Sequence, residues 1–349
     1  MKTGKKWIRY LALLAGLGVL AAIVGSIGPE KIWDHLKKIT LLQLAILLGL
    51  RILYWILRTF CWGVVVRTYD REVSFWSLFR VRMIGHSISQ LTPTAQLGSE
   101  ASRAWLAGCR DRSISVASVI VDKTIEYLTV VAFTLLGIIL LFLRTSLTPR
   151  LKVAMISILL VALLFVYFFY RQQKKGLIGW LAGFLHRLGI RPGILEKNRH
   201  KFQDIDGYIA DFYLQSHRAF FITLFLYAAL IMLWATEIHL GLCYLGVAKL
   251  SFMDSFLLTI LGNLAMAIPF IPGSLGIYEL TYMALYGKIL GGNAQVALVL
   301  VFIRRILALI LAGLGLLGLI GLPRRPRDVT IPPTDPGGPG RENTPTGSG

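Results

Sequence analysis

The chain has 349 residues, 55% of them hydrophobic, and a formal net charge of +19 from 37 basic and 18 acidic residues. Several apolar runs reach 18 residues or more, which excludes an ordinary soluble domain and defines an all-α, polytopic membrane protein. The basic residues lie in short stretches between those runs rather than on one folded face. Their excess therefore reads as orientation and contact with anionic headgroups, not as nucleic-acid binding.

Lys2, Lys5, Lys6 and Arg9 precede an apolar run that ends near Ile27. The run is long and followed by a poor cleavage site, so it reads as an uncleaved first span with a cytoplasmic N-terminus. A short interfacial helix is expected over 29–38, then a second span over 41–66. Arg67, Arg71, Arg80 and Arg82 follow it and are assigned to the cytoplasmic side. A first hairpin occupies about 76–108, returning to the cytoplasm at Arg110 and Arg112. Spans over 114–143 and 151–170 come next.

Residues 171–218 form the longest polar stretch, rich in Lys and Arg, and read as a cytoplasmic linker between two halves. The piece 177–188 has the pattern of a helix lying along the membrane surface. A fifth span covers 219–245, a second hairpin 252–290, and a last span 294–322 that ends at Arg324, Arg325 and Arg327. Gly315, Gly318 and Gly321 give that span a small face for close packing. Residues 323–349 are rich in Pro, Gly and Thr and read as a disordered cytoplasmic tail.

Length allows about seven transmembrane helices plus two re-entrant hairpins, packed as one membrane domain over 1–322. The hairpins follow from the breaks. AMAIPFIPGSLGIYE, residues 265–279, is apolar but carries Pro269, Pro272, Gly273 and Gly276 ahead of Glu279. Proline removes a backbone donor and glycine loosens the adjoining turn, so no straight helix runs through. Broken backbone at membrane depth persists only where protein or a wet cavity satisfies it. QLTPTAQLGSEASR, residues 90–103, repeats the pattern with Pro93, Gly98 and Glu100. In both copies the proline precedes the glutamate by seven residues. Two halves, 41–143 and 219–322, thus form an inverted repeat whose hairpins enter from opposite faces.

Eleven ionisable residues sit at membrane depth: Arg51, Arg58, Glu100, Arg103, Asp122, Lys123, Glu126, Glu237, Glu279, Arg304 and Arg305. Facing lipid they would cost on the order of 30 kcal/mol together. They must face one another or a cavity, and six cations nearly balance five acids. One reading makes them structural ion pairs. The other makes Glu100, Arg103, Asp122, Lys123, Glu279, Arg304, Arg305, Arg51 and Arg58 a site in which Arg and Lys hold a phosphate. The three cysteines and six histidines lack ligand spacing, so neither metal nor cofactor is expected.

These residues resemble the transmembrane flippase region of the lysylphosphatidylglycerol synthase family. That family carries a segment similar to P-x-x-x-G-E-x-x-R, then an Asp-Arg pair, then P-G-G-x-G-x-x-E and an arginine in the following helix. The corresponding residues here are Pro93 to Glu100 with Arg103, Asp122-Lys123, Pro272 to Glu279, and Arg304. Departures are one extra residue between Gly98 and Glu100, Lys123 for arginine, and Ser274 for the second glycine. The resemblance implies movement of a phospholipid or polyprenyl-phosphate-type lipid between leaflets; the flanking Lys and Arg put both termini in the cytoplasm, and a plasma (inner) membrane location is expected. An intramembrane transferase or phosphatase acting on a lipid headgroup is the alternative, as is a scaffold for a partner lipid-modifying enzyme.

Overall fold

A computed structural model describes residues 39–91, 97–144, 148–176, 179–180, 199–247, 251–266 and 276–317, with isolated positions at 30, 34 and 37. The first expected span, most of the interfacial helix over 29–38, the segment 181–188 and the tail 323–349 lie outside the described residues. So do four of the break residues, Pro93, Pro269, Pro272 and Gly273.

Among the described residues every regular element is helical. In chain order these are α1 (Leu41–Tyr69), α2 (Phe75–Leu91), α3 (Leu97–Leu106), α4 (Arg112–Arg144), α5 (Pro149–Lys175) and α6 (Arg199–Gln215). The second half supplies α7 (His217–Tyr244), α8 (Phe252–Met266), α9 (Ile277–Met283), which runs on as a π-helical turn over Ala284–Ile289, and α10 (Ala294–Leu317). Five of them, α1, α4, α5, α7 and α10, are long and apolar enough to cross a bilayer. The helices on either side of the two breaks are not. Their 17, 10, 15 and 7 residues reach at most about 26 Å at 1.5 Å per residue, short of a hydrocarbon core of about 30 Å.

Local sequence explains the ends of these elements. Thr40 and Gln43 form a reciprocal capping box at the start of α1, so two backbone donors of the first turn are satisfied. Gly276 opens α9 at φ 82°, a conformation that L side chains seldom adopt. Its N–H donates to the Glu279 carboxylate at 2.8 Å. The mouths of the hairpins are pinned too. Asp70, at the end of α1, accepts the Arg110 backbone N–H at 2.8 Å. Arg144, at the end of α4, pairs with Asp254, in the first turn of α8, at 2.7 Å.

The centre is an antiparallel pair, α1 against α7. Arg51 and Tyr54 meet Glu237 and Trp234, whereas Cys61 and Val65, further along α1, pack with Tyr227 and Leu230, earlier in α7. The first arm of each hairpin packs on the last span of the other half. Helix α2 lies on α10, where Gly315 abuts Ser87 and Met83, and α8 lies on α4, where Gly137 abuts Ile260. Within each hairpin a glycine of the first arm receives the second: Gly85 faces Ser99 and Ser102, and Gly262 faces Tyr282.

Two features differ from the sequence reading. The linker is not wholly external: Ile205, Ile209 and Phe212 of α6 are buried against α1, α4 and α7. The same helix is held by polar contacts. The Tyr213 hydroxyl donates to Gln173, and Gln173 donates to Thr124 beside the α4 charges. Helix α5 is correspondingly longer than 151–170, because Gln173 is buried in that junction.

Candidate functional site

The charges at membrane depth separate into two clusters, set apart by about 10 Å between Arg51 and Arg58 along α1. The first is built around Asp122 on α4, which has no solvent exposure. It accepts from Arg82 on α2 at 3.3 Å, from Arg103 on α3, and from the Tyr227 hydroxyl on α7 at 2.7 Å. Arg103 also donates to Glu100 at 3.0 Å. Lys123 bridges Glu100 and Glu126, both at 3.0 Å. Arg58 closes the chain, reaching Glu126 at 2.5 Å and the Tyr54 hydroxyl at 2.7 Å.

The buried indole of Trp62 lies beneath this array. Arg103 and Arg82 stand 4.4 Å and 5.4 Å from its ring centroid, so the electron-rich face adds cation stabilisation that no extra carboxylate supplies. Its N–H donates to Ser118 on α4, which fixes the ring.

In the second cluster Arg51 donates through Nε and Nη2 to Glu237 at 2.9 Å and 2.8 Å. Arg304 approaches the same oxygen at 3.5 Å, donates to the Tyr282 hydroxyl at 3.2 Å, and lies 4.9 Å from the Trp234 ring centroid. Arg305 donates to Glu279 at 2.5 Å. The two halves therefore share a plan. A glutamate following the hairpin break pairs with the second residue of a charged dipeptide on the next span, Lys123 in one half and Arg305 in the other. The first residue of each dipeptide, Asp122 or Arg304, reaches towards the central pair.

All nine expected site residues thus lie in one cluster or the other. Sequence reasoning missed Arg82 and the aromatic contributors Tyr54, Trp62, Tyr227, Trp234 and Tyr282. Arg82 requires a correction: it is 2% exposed and ion-paired, not a cytoplasmic surface charge. The available signal was its position within the apolar stretch of a hairpin arm, three residues before Gly85. The charge balance changes with it. The first cluster holds Arg58, Arg82, Arg103 and Lys123 against Glu100, Asp122 and Glu126. The second holds Arg51, Arg304 and Arg305 against Glu237 and Glu279. Each holds one more cation than acid among the described residues. In addition, the buried Nε atoms of Arg58, Arg82 and Arg103 have no acceptor there. Guanidinium groups left short of acceptors, with a surplus of positive charge, suit an anion such as a phosphate.

His86 and Ser87, on the first arm of the first hairpin, serve helix packing. His86 lies against Trp55 and contacts the Ala308 carbonyl, and Ser87 donates to the Ala312 carbonyl at 2.6 Å.

A bundle of five membrane-capable helices, interleaved with short broken hairpins around buried charge clusters, defines an integral membrane protein built to hold polar groups at membrane depth. The chain belongs to the family described as the lysylphosphatidylglycerol synthase TM region, which matches residues 9–315. It is 27% identical over 185 residues to a UPF0104 membrane protein of Methanothermobacter thermautotrophicus, covering 51% of this chain and 55% of that protein. The match therefore spans about half the length of this relative. No solved structure matches the chain.

Proposed function

We propose that the protein moves an anionic lipid, a phospholipid or a polyprenyl phosphate, between leaflets, its phosphate passing through the charged clusters while the tails stay in the bilayer. The observation that carries this reading is the surplus positive charge of each cluster, together with guanidinium N–H groups of the first that lack acceptors. A purely structural network would gain from neutrality, because an excess of buried charge of one sign is costly. The family description, which names a lipid synthase's membrane region, is in keeping with a lipid substrate.

Topology supports transport over chemistry. If each long helix crosses once, the antiparallel α1 and α7 carry their hairpins into the bilayer from opposite faces, one cluster near each. Exchanging the conformations of two such halves would open the path to alternate sides. Lys and Arg in the 171–218 connection support a cytoplasmic side for it and for both termini, in keeping with an inner-membrane location.

Reconstituted liposomes carrying a labelled anionic lipid test the reading. The wild type is expected to speed transbilayer movement over empty vesicles, and Glu100→Gln and Glu279→Gln are expected to lower the maximal rate by about tenfold or more. No acceleration for phosphatidylglycerol and polyprenyl phosphate would refute transport of these lipids. Mutants equal to wild type would refute the site.

A further inference from the structure

The five carboxylates of the clusters are not held alike. Asp122 and Glu279 have no side-chain exposure, Glu237 has 7% and Glu126 15%, whereas Glu100 has 22%. Glu279 is tied to backbone through the Gly276 N–H, and Asp122 takes three donors from three helices. Glu100, the most exposed of the five, is held among the described residues by Arg103 and Lys123, both at 3.0 Å, and by no backbone donor. The two contacts fall on different oxygens, Arg103 on Oε2 and Lys123 on Oε1. It sits in the first turn of α3, next to the hairpin break, on the shortest helix of its half.

We infer that Glu100 is a displaceable counter-ion, which occupies the phosphate position of the first cluster until a phosphodiester headgroup takes its place. The inference rests on the lipid-transport reading above and deepens it. A phosphodiester carries one negative charge and two free oxygens, as a carboxylate does, so it can bridge Arg103 and Lys123 in the same way. The exchange replaces one negative charge by another, so Arg103 and Lys123 keep an anionic partner in either state. Arg103 is 1% exposed and its Nε lacks an acceptor among the described residues, so phosphate, with more acceptor sites than a carboxylate, has a donor to gain. Positive dipole at the start of α3 favours either anion there. In the second cluster Glu279 is fixed to its turn and cannot leave in this way.

The test is isothermal titration of the purified, detergent-solubilised protein with dihexanoylphosphatidylglycerol, beside thermal unfolding of each variant. Removing the competing carboxylate in Glu100→Gln is expected to tighten binding about tenfold and, in liposomes, to lower the half-saturating lipid concentration as the maximal rate falls. Glu126→Gln adds the same unit of charge without vacating the bridging position, and is expected to tighten binding by less than about threefold. Should Glu100→Gln unfold, Glu100→Asp keeps the charge but is too short to bridge both cations, and is expected to tighten binding by an intermediate amount.

Equal tightening by Glu126→Gln and Glu100→Gln would overturn the inference in favour of a general field effect. So would a Glu100→Gln or Glu100→Asp variant that folds and binds no tighter than wild type, and in that case lipid transport still stands. If neither wild type nor any variant binds the lipid, the transport reading fails and takes this inference with it. Binding of inorganic phosphate without binding of the lipid would also overturn it, since the exchange requires a headgroup entering from the membrane.

Discussion

Asp122 shows how much a single side chain can hold at membrane depth. Its carboxylate is the common partner of Arg82, Arg103 and Tyr227, so neutralising it strands the buried Arg82 and leaves Arg103 with Glu100 alone. Removing one partner of a buried ion pair costs about 3–5 kcal/mol. Asp122→Asn is accordingly expected to lower the unfolding midpoint in detergent sharply, and an unchanged midpoint would show that Arg82 has another acceptor. Trp62 works on the same cations by a different route, through its ring face. Trp62→Leu keeps much of the apolar bulk but removes that face, and is expected to cost a further few kcal/mol through lost cation–π contact and packing. Thermal unfolding read beside Trp62→Phe, which restores a weaker aromatic face, checks it: Phe should recover part of the loss.

Among elements, the hairpin arms depend on glycines at their crossings. A Cβ on Gly315 would fall against Ser87 and the backbone carbonyl of Met83, and backbone cannot swing aside as a side chain can. Gly315→Val is expected to destabilise the α2–α10 contact by about 1–3 kcal/mol and to lower transport with it. Gly313, two residues earlier on the same helix, has open space around its Cβ position, so Gly313→Ala serves as the neutral control. Comparable midpoints for the two variants would mean that α2 does not seat on α10 as described. The expectation that the glycines of the last span form a packing face is met at Gly315, while 318 and 321 fall beyond the described residues.

For the whole molecule, the proposed transport depends on the two hairpins entering from opposite sides. That arrangement is testable by labelling single cysteines in intact cells with a membrane-impermeant maleimide. Cys243, which is exposed, is first replaced by serine. Cys61 is buried, and burial pushes the Cys109 thiol above its ordinary value, so both leave low background. Ser251→Cys, at the mouth of the second hairpin, is expected to label from outside, and Ser74→Cys, before the first, only after permeabilisation. Labelling of both from one side would remove the inverted arrangement, and alternate access with it.

Membrane class, the helical spans and the short broken segments were legible in the sequence, because hydrocarbon permits few alternatives: long apolar runs must be helices, and a proline-glycine break must lie where its backbone is satisfied. The same solvent argument showed that Arg51, Arg58, Glu100, Glu279 and their fellows must face inward. It could not show whom they face. That depended on α1 running antiparallel to α7 and on each hairpin crossing to the other half, contacts between residues far apart in the chain. Only tertiary packing carried Arg82 into the Asp122 cluster, seated Tyr227 on the same carboxylate, and paired Glu279 with Arg305 and Arg304 with Glu237. The balance of charge in each cluster was settled there as well. An apolar helix records which depth a charge must occupy, but its partner is chosen by the packing of neighbouring helices.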